Sequence, residues 1–260
     1  MSEWKVVEKW KNKPQGQVWR VQDAKGRTGF FKFAYPHQWH DAGPIVGNEW
    51  LARRLASRLG LPSASLECAT VREAGHELRG IVSLPRPGTR LVSWRSLPSA
   101  VHQQPERYID NWERMIQTVA FDVWLTNIDR GSGENIMLYR RDGGRWHWYL
   151  IDHGYTLYGC DRKWADHPPG SVHWRRVWRF YHIPRGWQRL AKRPTLMAMA
   201  QNIALIPARD IRSCVEAVPD TLYSSGIKSS VIELLLTRQK TLPAILDAWL
   251  RYKGNKEFRL

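Results

Sequence analysis

Residues 121–158 run FDVWLTNIDRGSGENIMLYRRDGGRWHWYLIDHGYTLY, and the rest of the chain is interpreted outward from them. A helical run ends in Asn127-Ile128-Asp129-Arg130, and a polar loop, Gly131-Ser132-Gly133-Glu134, leads to Asn135. Two apolar-rich strands follow, Ile136–Arg140 and Arg145–Ile151, joined by Asp142-Gly143-Gly144. Asp-Gly between such runs is a strong hairpin signal. The second strand delivers Asp152-His153-Gly154. Taken singly, a residue such as Asp129 reads as a turn residue or a helix cap. Taken together, Asp129, Asn135 and Asp152 stand at element ends around one hairpin. That arrangement suits phosphoryl transfer, in which one carboxylate orients the attacking group while an Asn and a second carboxylate hold Mg²⁺ on nucleotide phosphates.

The sequence Asp-Arg, Asn-Ile-Met, a hairpin and Ile-Asp-x-Gly resembles the catalytic core of the HipA-like kinases. It is also similar to the phosphatidylinositol kinases, which share the protein-kinase-like fold. The resemblance spans about residues 15 to 250 and is most specific in this stretch. It implies Asp129 as the catalytic Asp, Asn135 as the metal-binding Asn, and Asp152 as the metal-binding Asp of D-F-G, with His153 in the Phe place. The family's spacing from Asp to Asn is five; here it is six, and Glu134 occupies the five-residue position. We expect Asn135 to be the second metal ligand, with the extra residue taken up where Gly131 and Gly133 permit unusual backbone angles.

The fold expected from this is α+β, a two-lobed protein-kinase-like architecture with a small antiparallel-sheet N-lobe and a mainly helical C-lobe. The N-lobe is expected over residues 1–86 and the C-lobe over 87–260, with Pro85-Arg86-Pro87-Gly88 as the linker. In the first lobe, Gln17–Gln22 and Thr28–Ala34 read as strands around the turn Ala24–Arg27. Asn12-Lys13-Pro14-Gln15-Gly16 stands where a kinase carries its phosphate loop, and backbone N–H groups there, Gly16 included, could cradle phosphate. Lys32 lies in the apolar strand FFKFA, where an ammonium needs a partner or a route to water. It is either a solvated edge-strand lysine or the strand Lys that grips nucleotide phosphates. A helix over Gly47–Leu59 follows, with Leu51, Leu55 and Leu59 at helical spacing. Its Glu49 matches the helix Glu that pairs with that Lys, although a Glu near a helix N-terminus is favoured by the dipole alone. Two strands are expected between residues 65 and 84, the second entering the hinge beside the adenine.

The C-lobe reads as helical over Pro105–Leu125, with Tyr108, Trp112, Met115, Val119 and Val123 on one face. Further helices are expected at Leu196–Leu205 and Pro207–Val218. Ser230 to Glu233 reads as a capping box opening a helix over Val231–Gln239, and Pro243 as a kink or restart before Ala244–Tyr252. Between them, HWRRVWRFYHIPRGWQR interleaves Arg175, Arg176, Arg179, Arg185 and Arg189 with Trp174, Trp178, Phe180, Tyr181 and Trp187. It follows Asp152 where kinases present substrate, and basic and aromatic residues together suit stacking plus phosphate contact. It reads equally as a helix with a Trp-lined buried face and a solvated Arg face. His167, His173 and His182 have no metal-helix spacing.

Composition narrows the partners. The 260 residues suffice for two lobes with a real core, and 43% are hydrophobic. A net charge of +16 favours nucleic acid, ribonucleoprotein or an acidic surface. Three dispersed cysteines, Cys68, Cys160 and Cys214, form no zinc spacing and fit a reducing, cytoplasmic compartment. No apolar h-region opens the chain, and no run of about 18 uncharged apolar residues predicts a membrane span. The expected activity is therefore an ATP- and Mg²⁺-dependent kinase transferring the γ-phosphoryl group to a hydroxyl, as the resemblance implies to Ser or Thr of a protein. The alternatives are a small-molecule kinase of the same fold and a catalytically degenerate basic binding protein.

Overall fold

In a computed structural model, residues 3–10, 16–35, 38, 43–86, 90–140, 144–158 and 181–257 are described. The expected Asp142-Gly143 turn, residues 87–88 of the linker and most of the Arg/Trp stretch lie outside them. The first lobe is a closed barrel. Its strands are β1 (Trp4–Lys9), β2 (Gln17–Asp23), β3 (Thr28–Phe33), β4 (Ser65–Glu73) and β5 (His76–Leu84), in spatial order β1-β2-β3-β5-β4. All pairs are antiparallel except the closing one, where Trp4 of β1 meets Val71 of β4 in parallel. Strand side chains alternate between faces. Trp19 and Val21 of β2 and Phe31 and Phe33 of β3 therefore fill the barrel with Trp4, Val71 and Val82. The same alternation turns Lys32, between two buried phenylalanines, to the opposite face.

Helix α1 (Ile45–Arg58) crosses between β3 and β4 and buries Leu51, Ala52, Leu55 and Ala56. It begins two residues before the expected Gly47. After β5, a short strand β6 (Arg90–Ser93) pairs with β7 (Ile136–Arg140), and β7 pairs with β8 (His147–Leu150). A bridge between Ser63, two residues before β4, and Leu150 of β8 links this second sheet to the first lobe. The helices α2 (Ser99–Gln103) and α3 (Pro105–Tyr108) precede α4 (Trp112–Leu125).

The helix expected over Pro105–Leu125 is therefore interrupted. Ile109 is extended and bridges Trp146, the Asp110 N–H and Trp146 N–H bond across that bridge, and Asn111 is left-handed at φ 49°. A tertiary backbone pairing wins over local helix propensity. Met115, Val119 and Val123 of α4 do form the buried face.

Helices α5 (Arg193–Ala204), α6 (Ala208–Glu216) and α7 (Ser225–Glu257) complete the second lobe, and α5 and α7 pack on α4. One expectation on α7 fails. Ser230 lies inside the helix, whose first turn is capped instead by Ser224 Oγ accepting the Ile227 N–H at 3.4 Å. Of the kink or restart expected at Pro243, the restart does not occur, because Leu242, Leu246 and Trp249 are fully buried and keep one continuous helix pressed on the core. Among the described residues, no helix is long and apolar enough to cross a membrane. Cys68 and Cys214 are free thiols.

Candidate active site

The cleft between the barrel and the second sheet gathers the residues singled out in the sequence. Lys32 Nζ lies 3.3 Å from Glu49 Oε2 and 3.2 Å from Asp152 Oδ1. Burial works against the Lys32 ammonium, but Asp152 and Glu49 outweigh it and hold its pKa above the ordinary value. Lys32 is thus not a solvated edge lysine. Burial pushes the Glu49 carboxyl up, against the pull of Lys32 and of the His153 N–H, which donates to Glu49 Oε2 at 2.5 Å. Asp152 holds a positive φ of 52°, a conformation that non-glycine residues seldom adopt outside sites that need it. Its side chain remains 38% exposed toward the cleft.

Register brings Asn135 beside Asp152. Ile136 pairs with Leu150, so the residues flanking that pair, Asn135 and Ile151, face each other, and the Ile151 N–H donates to Asn135 O at 3.2 Å. Asn135 Nδ2 donates to Asp129 Oδ2 at 2.8 Å and to Asp129 O at 2.9 Å. The expected catalytic and metal-binding positions therefore form two linked groups, Lys32–Glu49–Asp152 and Asp129–Asn135.

The link is Arg130, fully buried, which no reading of the sequence assigned a role. Its Nε donates to Asp122 Oδ2 at 2.9 Å, and its Nη1 donates to Asn135 O at 2.5 Å and Ile151 O at 3.2 Å. Burial opposes its charge, and the equally buried Asp122 outweighs it. Asp122 also accepts from Asn127 Nδ2 at 2.8 Å and Tyr181 Oη at 3.2 Å. The available signal was a carboxylate set inside the apolar run FDVWL on the buried face of α4. Thr126, the residue after α4, takes φ 56°, which turns the chain out of the helix toward Asp129. For a β-branched residue this is a strained conformation.

The loop insertion resolves into distinct parts. Glu134 is 58% exposed and its Oε1 pairs with Arg95 Nη1 at 2.7 Å, outside the cluster of Asp129 and Asn135. Gly133 adopts φ 74°, as expected of a flexible position, and a Cβ there would lie 2.7 Å from the Trp94 ring. Gly131 serves differently from the expectation. Its φ is ordinary, but a Cβ would come within 2.7 Å of His182 Cβ, so it permits close approach.

Two cavities meet at Lys32 and Asp152. One, of about 250 Å³, is lined by Val18, Phe30, Ala64, Leu84, Met137 and Ile151 among others, with Trp10 at its rim. The other, of about 70 Å³, is lined by Gly16, Gln17, Phe33, Ile45, Val46 and Glu49 among others. Gly16 thus belongs to the cleft; residues 12–15 of the expected phosphate loop lie outside the described residues. The apolar liners carry no motif, and only the assembled barrel and second sheet bring them together.

His153 is buried beside this site, its ring edge-on to Phe121 at 6.3 Å. Burial, then Arg130 and Lys32, push it well below the ordinary imidazole range. Its Nε2 has no hydrogen-bond partner among the described residues. From the Arg/Trp stretch, Tyr181 and Trp187 are core residues, and Arg189 pairs with Glu106 at 2.7 Å. Trp174, Arg175, Arg176, Trp178, Arg179 and Phe180 lie outside the described residues.

Solved structures place the fold. A Helicobacter pylori proinflammatory kinase, CtkA, superposes with a TM-score of 0.64 at 14% identity, over 98% of this chain and 97% of that one. A chain of the Shewanella oneidensis toxin–antitoxin complex of HipA, HipB and operator DNA gives a TM-score of 0.52 at 12% identity, over 94% and 68%. No protein-family model and no curated protein matches the sequence. The chain has the HipA-like form of the protein-kinase-like fold, two-lobed and α+β.

Proposed function

We propose that this chain is an ATP- and Mg²⁺-dependent kinase that transfers the γ-phosphoryl group to a hydroxyl, on Ser or Thr of a protein. The observation that carries the reading is Lys32 held between Glu49 and Asp152 where two largely apolar cavities, one large and one small, meet. An apolar slot of about 250 Å³ suits a base, and a held ammonium at its inner end suits phosphates.

The residues present fit the metal. Asp152 offers a partly exposed carboxylate, and Asn135 spends its amide protons on Asp129, leaving its carbonyl oxygen as an acceptor. Hard oxygen donors of this kind suit Mg²⁺. When bound, the ion would neutralise charge on the phosphate oxygens. Lys32 would grip the phosphates, with Glu49 fixing its direction. Asp129, oriented by the Asn135 amide, would accept a hydrogen bond from the acceptor hydroxyl and align it for attack. Val18, Met137 and Ile151 would exclude water around the base. The net charge of +16 supports a protein acceptor with an acidic or nucleic-acid-bound surface. With Tyr181 and Trp187 in the core and Arg189 paired, Arg185 is the arginine among the described residues of this stretch that is left exposed for docking.

The test has two stages, a thermal shift with Mg²⁺-ATP and then labelled-phosphate transfer. Asp129→Ala should keep the nucleotide shift and lose transfer. Asp152→Ala should lose both. Wild-type turnover by either variant refutes the assignment.

A further inference from the structure

Helix α1 places Glu49, and something must place α1. Its inner face presents Asn48, fully buried, one residue before Glu49. Asn48 Nδ2 donates to Gly154 O at 3.1 Å and to Thr156 O at 2.8 Å, both just beyond Asp152. Asn48 Oδ1 accepts from Tyr223 Oη at 2.5 Å, and Tyr223 is fully buried between α6 and α7. Burial pushes the Tyr223 hydroxyl up, so it stays a donor across the working pH range. One side-chain amide therefore ties three parts of the chain together, namely the barrel's helix, the segment after Asp152, and the helical lobe. The contact is shaped for closeness. A Cβ on Gly47 would come within 2.3 Å and 2.4 Å of the Tyr223 ring and 3.0 Å of Leu222 O.

We infer that Asn48 and Tyr223 are positioning residues that latch α1 in place, so that the Lys32–Glu49–Asp152 arrangement is held by the fold itself. A buried amide with both ends satisfied is costly to open, since opening orphans two carbonyls and a hydroxyl. Neither residue lines the cleft; they act through Glu49 on α1 and through the Gly154–Thr156 segment that follows Asp152. The catalytic part of this inference rests on the phosphotransferase reading, whereas the mechanical part does not.

The test uses the full chain with Tyr223→Phe, which removes one hydroxyl and keeps the ring, and Gly47→Ala, which wedges α1 from the Tyr223 ring and Leu222 O while removing no hydrogen-bonding group. Amide exchange across α1, measured without nucleotide, should speed up in both. Unchanged exchange in Tyr223→Phe overturns the latch. With nucleotide, Tyr223→Phe should lower kcat/KM about five- to tenfold, the equivalent of one buried hydrogen bond. In a Glu49→Gln background the same change should cost less than in the wild-type chain, because part of its route runs through Glu49. An equal loss in both backgrounds marks a merely structural residue and overturns the positioning role. Faster exchange in Tyr223→Phe, beside a wild-type chain that transfers no phosphate, would instead sink the kinase reading and leave the latch standing.

Discussion

Replacing Arg130 with Met should be among the most damaging single changes in the chain. The substitution keeps an unbranched side chain of similar reach and removes the guanidinium. It strands the Asp122 carboxylate, which is fully buried and, among the described residues, keeps only the Asn127 amide and the Tyr181 hydroxyl. It also takes a donor from Asn135 O and from Ile151 O. Removing one partner of a buried pair costs about 3–5 kcal/mol, against a whole-domain stability of about 5–15 kcal/mol. With an unfolding entropy of about 2.1 cal/mol/K per residue, a chain this long loses roughly 5–9 °C of melting temperature. Adding Asp122→Asn removes the stranded charge, and the double variant should recover at least half of that loss, because replacing a buried pair outright is often close to neutral. Transfer activity should not recover, since Asn135 and Ile151 stay unclasped. Differential scanning fluorimetry of the three proteins reads the first effect and labelled-phosphate transfer the second. A single-variant shift below about 2 °C, or a double variant no better than the single, would falsify the reasoning.

Other outcomes follow from the same geometry. Lys32→Met should raise the nucleotide KM or dissociation constant by about 10- to 100-fold, the range of a lost charge-assisted contact; unchanged values would reduce Lys32 to a strand lysine. Glu134→Gln should leave the Mg²⁺ dependence of transfer within about twofold, because its exposed pair with Arg95 is worth little. Asn135→Ala should raise the Mg²⁺ requirement about tenfold, and the reverse pattern would make Glu134 the ligand. Burial works against the Asp23 carboxylate, but Arg27 and the backbone N–H groups of Arg27 and Lys25 outweigh it and hold its pKa below the ordinary value. A lowered folded pKa stabilises above the unfolded value of about 3.9 and is lost as pH falls through the folded one. Asp23→Asn should therefore flatten the acid limb of a stability–pH curve and leave its slope above pH ~5 unaltered.

Local signals carried much of the architecture. The β2–β3 and β7–β8 pairs, α1 and the placement of Asp129, Asn135 and Asp152 were legible because turn residues and periodicity are encoded within a few positions. What escaped depends on partners far away in sequence. Strand β6 is four residues long and exists through its pairing with β7. The break at Ile109 requires Trp146, and the passage of α7 through Pro243 requires the core beneath Leu242 and Leu246. Ser230 carried a correct capping pattern in a place where helix already surrounded it. In the site, the visible residues were those with chemistry in a motif. Arg130 and Asp122 lie inside the quoted stretch, but their bonds to each other, to Asn135 O and to Tyr181, like the bond between Asn48 and Tyr223, form only in the assembled fold.

The closed wall of the barrel also decides how the first lobe can be approached. An open sheet offers a visiting peptide a row of backbone donors and acceptors, and many recognition domains work by accepting one more strand there. Here β1 returns to β4, the seam is one residue pair long, and Trp4 is buried at it. A partner that reads main chain meets an edge of β4 interrupted at Val71, where Trp4 pairs with it. Selection that runs through side chains would, in a chain of +16, vary with ionic strength in a way that strand addition would not.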